Sequence, residues 1–132
     1  MPIELERVEA GIYFSSWVGK VTVDEFLDTS PMDNLVRQSG DDQVVIIVDT
    51  SRCTQYPLSI ETLRLANANM SRFNSLGYVF ISPPNVLKAL AATLTSVFRM
   101  KLIFCSSYED ALTAARGLYA TGTSPRDEPP GS

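Results

Sequence analysis

The chain has no histidine. That absence removes the usual general base near neutral pH, any Ser-His-Asp triad and the commonest metal ligand, so most hydrolase schemes end there. Its 11 lysines and arginines are scattered over 132 residues with a formal net charge of -4, which gives no electrostatic footprint for gripping a phosphate backbone. Neither a GxGxxG pattern nor a P-loop occurs among the glycines. Asp41-Asp42 and Glu109-Asp110 have no third acidic partner at ligand spacing, and they read as turn and helix-start residues. After Met1 the residues PIELERVEA alternate in charge without an apolar stretch, and no run is long enough to span a bilayer. The expectation is a cytoplasmic, non-enzymatic protein with no cofactor, no metal, no nucleic-acid partner and no stable membrane insertion. The two cysteines, Cys53 and Cys105, lie at or just past predicted strand ends, and in a reducing compartment they read as small packed hydrophobes.

What is present is organised around the passage 43–59, QVVIIVDTSRCTQYPLS. Its unbroken β-branched run at 44–48 suits a strand buried on both faces of a mainly parallel sheet. Asp49, Thr50 and Ser51 follow at its carboxyl end, and Ser59 stands where a helix N-cap is expected. Polar groups therefore gather where open α/β sheets place ligands and switches.

Upstream, residues 3–8 alternate as an edge strand, Glu9-Ala10-Gly11 supplies a turn, and 12–18 forms a second strand with Tyr13, Ser15 and Trp17 on one face. Thr22 and Glu25 form a capping box, Val23, Phe26 and Leu27 are expected to face the sheet, and Pro31 divides the segment into helices at 22–29 and 31–38. Downstream, a helix from Ser59 has the stripe Leu63, Ala66, Met70 and Phe73, followed by a strand at 76–81, a helix at 84–98, a strand at 101–105 and a last helix from Tyr108. Residues 121–132, TGTSPRDEPPGS, lack the apolar groups to offset the entropy of ordering and read as a disordered tail behind one domain at 1–120.

The order ββ(αα)βαβαβα implies an α/β fold, a five-stranded mixed sheet with helices packed on it and right-handed parallel crossovers. In that order, in VVIIVDTSRCTQYPLS and in the closing KLIFCSSYEDALTAA, the chain resembles the SpoIIAA-like class, which holds STAS domains of anti-sigma-factor antagonists and CRAL-TRIO ligand-binding domains. STAS antagonists carry Asp-x-Ser at the end of the central strand, matched here by Asp49-Thr50-Ser51. About nine residues after that Asp they place a phosphorylatable Ser; here Leu58 falls at that position and Ser59 one residue later, without the usual Asp and Gly around it. The resemblance implies a small stand-alone bacterial module of regulatory or protein-interaction type, with Asp49, Thr50, Ser51 and Ser59 as its candidate switch or ligand loop. The alternative it implies is a carrier of an apolar small ligand or lipid, of the CRAL-TRIO type.

From the residues alone, a carboxylate at a strand end more often accepts the amides that follow it, and Ser51 and Ser59 have turn and cap roles beside any phosphoacceptor role. Between residues 84 and 98 the only charge is Lys88. Val86, Ala89, Thr93 and Val97 form a second, smaller apolar face there, a candidate interface with a protein partner, most simply in a homodimer.

Overall fold

The computed structural model describes residues 3–28, 30–55, 59, 61, 62, 64, 65, 68, 74–83, 85–96 and 101–123; of residues 74, 75, 86, 94, 122 and 123 it describes the backbone alone. The chain opens with an antiparallel hairpin, β1 (Ile3–Glu9) and β2 (Ile12–Lys20). Gly11 makes the turn at φ +75°, and its missing β-carbon is needed a second time, because one there would overlap the Tyr119 ring. Two helices follow, α1 (Val23–Leu27) and α2 (Ser30–Ser39), then β3 (Gln43–Gln55), helical residues at 61, 62, 64, 65 and 68, and β4 (Asn74–Ile81). Helix α3 (Asn85–Ser96), strand β5 (Leu102–Cys105) and helix α4 (Tyr108–Thr123) complete the described order. The five strands lie in the sequence order β1-β2-β3-β4-β5, with every pair after the hairpin parallel.

The alternation of β3 divides the core in two. Val44, Ile46 and Val48 join Tyr13, Trp17, Met32, Val36, Phe80 and Leu87 under α2 and α3. Val45 and Ile47 join Ile12, Val79, Ile81, Ala111 and Ala115 under α4. All five residues at 44–48 are buried, which bears out a strand covered on both faces. Tyr13 and Trp17 are core residues.

The capping box forms as expected: the Thr22 amide donates to Glu25 Oε1 at 2.9 Å and the Glu25 amide to Thr22 Oγ1 at 3.2 Å. The helices it opens differ from the expected 22–29 and 31–38. Asp28 takes the Ser30 amide at 3.1 Å, so Ser30 is itself the first residue of α2. In α1, Phe26 packs edge-on against Trp17 at 5.2 Å, whereas Val23 is 44% exposed and does not face the sheet.

Two further expectations are corrected. The central strand does not stop at Asp49 but runs to Gln55, because β2 also runs on to Lys20 and supplies backbone partners, Val18 opposite Arg52, Gly19 opposite Cys53 and Lys20 opposite Gln55. The stretch 50–55, read as a loop, is therefore strand. The last helix reaches Thr123, past the Thr121 expected to open a tail; Leu118 and Tyr119 of its final turns pack on the core beneath, and residues 124–132 lie outside the described residues. The expected stripe Leu63, Ala66, Met70 and Phe73 also lies outside them.

Candidate functional site at the carboxyl end of the central strand

The last covered residue of β3 that pairs on both sides is Asp49, opposite Ser16 on β2 and Ile81 on β4. Past it β4 ends and β3 continues with β2 alone. Asp49 Oδ1 accepts the Ser51 amide at 2.9 Å, which is the backbone role weighed above for a strand-end carboxylate. Thr50 is buried, 1% exposed, and its hydroxyl lies 2.8 Å from the Ser82 carbonyl and 3.2 Å from that of Ile81. Its hydroxyl thus anchors the end of β4. Ser82 sits at φ +52°, an uncommon value for a residue with a β-carbon and one that places strain at this point.

Ser51 and Arg52 are exposed, and the Arg52 guanidinium donates to Ser16 Oγ at 3.3 Å across the β2–β3 pair. Ser59 is exposed as well, and its hydroxyl accepts the Thr62 amide at 3.1 Å, with the Thr62 hydroxyl at 3.1 Å. That is N-cap geometry at the helical residues that follow. The structure thus joins Asp49, Thr50 and Ser51 along β3 where β4 ends, and gives Ser59 a separate, local hydrogen-bond set.

Residue-by-residue inspection missed Ser16, Arg52 and Ser82. The signal for Ser16 is strand register, since a parallel alignment of β2 and β3 sets it beside Asp49; Arg52 comes to lie beside Val18 only through a register shift after Ser16, without which Ser51 would stand there. Ser82 carries no such signal apart from preceding Pro83.

The cysteines flank this end of the sheet. Burial pushes the Cys53 thiol up, and it donates to the Gln55 carbonyl at 3.3 Å. Burial, followed by the Asp110 carboxylate, pushes Cys105 up. Both shifts disfavour the thiolate, the nucleophilic form. Among the described residues, no group of three His, Cys, Asp or Glu side chains is placed to hold a metal ion, and no helix is long and apolar enough to cross a membrane.

Of the candidate interface residues, Ala89 and Thr93 are exposed on α3; the Val86 side chain and Val97 lie outside the described residues. Among the described side chains of this helix, Leu87 is buried and Leu90 and Ala91 are half-buried.

No protein-family model matches the chain, and no curated protein matches it. Solved structures do. The unphosphorylated form of the anti-sigma factor antagonist SpoIIAA superposes with a TM-score of 0.55 at 15% identity, covering 87% of this chain and 98% of that one. An uncharacterised DUF3478-family protein with a SpoIIAA-like fold, from Shewanella loihica PV-4, gives a TM-score of 0.56 at 18% identity, covering 86% of this chain and 91% of its own. The five-stranded mixed sheet and its helices are thus those of the SpoIIAA-like fold, as the resemblance in the sequence implied.

Proposed function

We propose that this chain is a non-catalytic, cytoplasmic regulatory module that binds a partner protein through the outer stretch of β3, residues 51–55, in a role related to that of an anti-sigma-factor antagonist. The observation that carries the proposal is that β3 outruns β4, so that beyond Asp49 no described strand pairs with it on that side. An unpaired strand edge offers backbone donors and acceptors to another chain. Here it is fixed at its base by the buried Thr50 hydroxyl and presents Ser51, Arg52, Thr54 and Gln55 to solvent. A rigid base and a polar exposed tip suit recognition. The likeness in fold to an anti-sigma factor antagonist supports a protein as the partner.

Ser51 is the candidate switch residue of this surface and Ser59 a second candidate outside it; both are exposed. A phosphate on Ser51 would bring roughly -1.5 to -2 charges next to Arg52 and change what the edge can accept. Native mass spectrometry of gently purified protein tests the proposal, with wild type and Arg52→Glu compared. A protein that travels with the wild type and is lost from the folded variant supports it. An apolar small molecule bound one-to-one to both would instead identify a carrier.

A further inference from the structure

The two edges of the sheet meet solvent differently. β1 places Glu4, Glu6, Arg7 and Glu9 among its seven residues and has a register irregularity between Arg7 and Glu9. Charges and bulges of this kind keep an edge from pairing with another chain. β5, Leu-Ile-Phe-Cys, has no charge, and its ladder to β4 runs without a shift from Tyr78 opposite Leu102 to Ile81 opposite Cys105.

The direction of its backbone groups follows from two hydrogen bonds. The Tyr78 amide donates to the Lys101 carbonyl at 2.9 Å and the Ser82 amide to the Cys105 carbonyl at 3.0 Å. Strand backbone alternates with period two, so Lys101, Ile103 and Cys105 turn their groups toward β4, while Leu102 and Phe104 turn theirs outward. Among the described residues no strand takes up those outward groups. Phe104 is 37% exposed, its ring set edge-on to Phe80 at 6.2 Å. Helix α4 does not guard this edge: it packs mainly inward, over β4 and β3.

We infer that two copies of this chain join edge to edge through β5, antiparallel about a two-fold axis at Ile103, making one continuous sheet. The strand is self-complementary in that register. Leu102 of each copy stands opposite Phe104 of the other as a hydrogen-bonded pair, so the outward groups of both residues are met by about four hydrogen bonds. Ile103 stands opposite its own copy as a non-hydrogen-bonded pair, the kind in which side chains approach most closely. The same register sets Lys101, which is exposed, opposite Cys105 of the second copy. Asp110 stands in the first turn of α4, which begins three residues after Cys105, so each lysine ammonium arrives at the end of the other chain's β5 that carries this carboxylate. A one-residue slip would lose the Ile103 pair, the charge match and the alignment of the outward groups together.

Four residues a side are fewer than the roughly 20–30 of a permanent interface, so the dimer is reversible and dissociates on dilution. It does not depend on the regulatory surface proposed at 51–55, which lies at the other side of β4.

Sedimentation over a wide range of concentrations tests it. Phe104→Pro removes an outward N–H without touching the β4 ladder, and with it two of the intersubunit hydrogen bonds, so association should weaken about tenfold or more. Lys101→Glu should also weaken it, and Lys101→Glu with Asp110→Lys should restore it. A wild type that is monomeric at every concentration overturns the inference, as does a folded Phe104→Pro variant that associates as before. If Phe104→Pro does not fold, the charge exchange decides: loss and recovery support the β5 pair, and no change in either rules it out. Association abolished by Ala89→Arg but unaffected by the charge variants would place the contact on α3 instead and overturn the inference as well.

Discussion

The Tyr13 hydroxyl donates to Asp41 Oδ2 at 2.6 Å, tying the start of β2 to the turn that leads into β3. Arg7 on β1 grips the same carboxylate with Nε at 3.0 Å and Nη2 at 3.3 Å, so one side chain fastens three segments at the amino end of the parallel strands. Asp41 is 9% exposed in its side chain, and Tyr13 is fully buried. This is where the sheet's first three strands are held in register.

Loss of that carboxylate strands a buried phenol. Asp41→Ala should destabilise the protein by about 1–3 kcal/mol in urea denaturation, and Tyr13→Phe by about 0.5–1.5 kcal/mol. A double-mutant cycle should show the two effects to be coupled; simple additivity would mean that the hydrogen bond contributes nothing to folding. Arg7 first, and Tyr13 after it, hold the Asp41 carboxyl below its ordinary value against the opposing effect of burial. A depressed carboxylate adds stability that is complete above the unfolded value, about pH 4, and is lost as pH falls through the lower folded value. Acid titration of stability should therefore show a fall below about pH 4 that is smaller in Asp41→Ala.

Ile47 measures the centrality of β3. It is fully buried beneath α4, and its truncation to Ala should cost about 2–5 kcal/mol, the range for a core site that cannot collapse. Equilibrium denaturation with a loss under about 1 kcal/mol would be incompatible with a strand covered on both faces.

Ser59 separates a cap from a free hydroxyl. With the Thr62 amide at 3.1 Å, Ser59→Ala should lower stability by about 0.5–2 kcal/mol, while Ser59→Asp, which keeps an acceptor and adds charge at the helix's positive end, should not. Equal losses in thermal denaturation of the two variants would remove Ser59 from the helix start.

Ser82 tests the strain beside the candidate site. At φ +52° a glycine escapes the steric cost of the side chain but adds freedom to the unfolded chain, so Ser82→Gly should raise stability by about 0.5–1 kcal/mol. Thr50→Val, which leaves the Ser82 carbonyl without that hydroxyl, should lower it by about 0.5–1.5 kcal/mol. A destabilised Ser82→Gly would show that the conformation at this position carries no strain.

The hydrophobic pattern by itself determined the central strand and therefore the class of fold. Five successive β-branched residues at 44–48 can be sheltered only by cover on both faces, and that needs helices on both sides of a parallel sheet. The box of Thr22 and Glu25 was equally legible, since its partners lie three residues apart and its hydrogen bonds close locally. Tertiary structure decided what depends on distant partners. Asp41 and Asp42 are alike in sequence, yet the Arg7 and Tyr13 contacts recorded at this turn fall on Asp41. The run of β3 past Asp49 was set by the length of β2, which no pattern within 50–55 records. The cap at Ser59 was legible, whereas 50–55 was read as a loop, because a polar segment with an external backbone partner has the composition of one without.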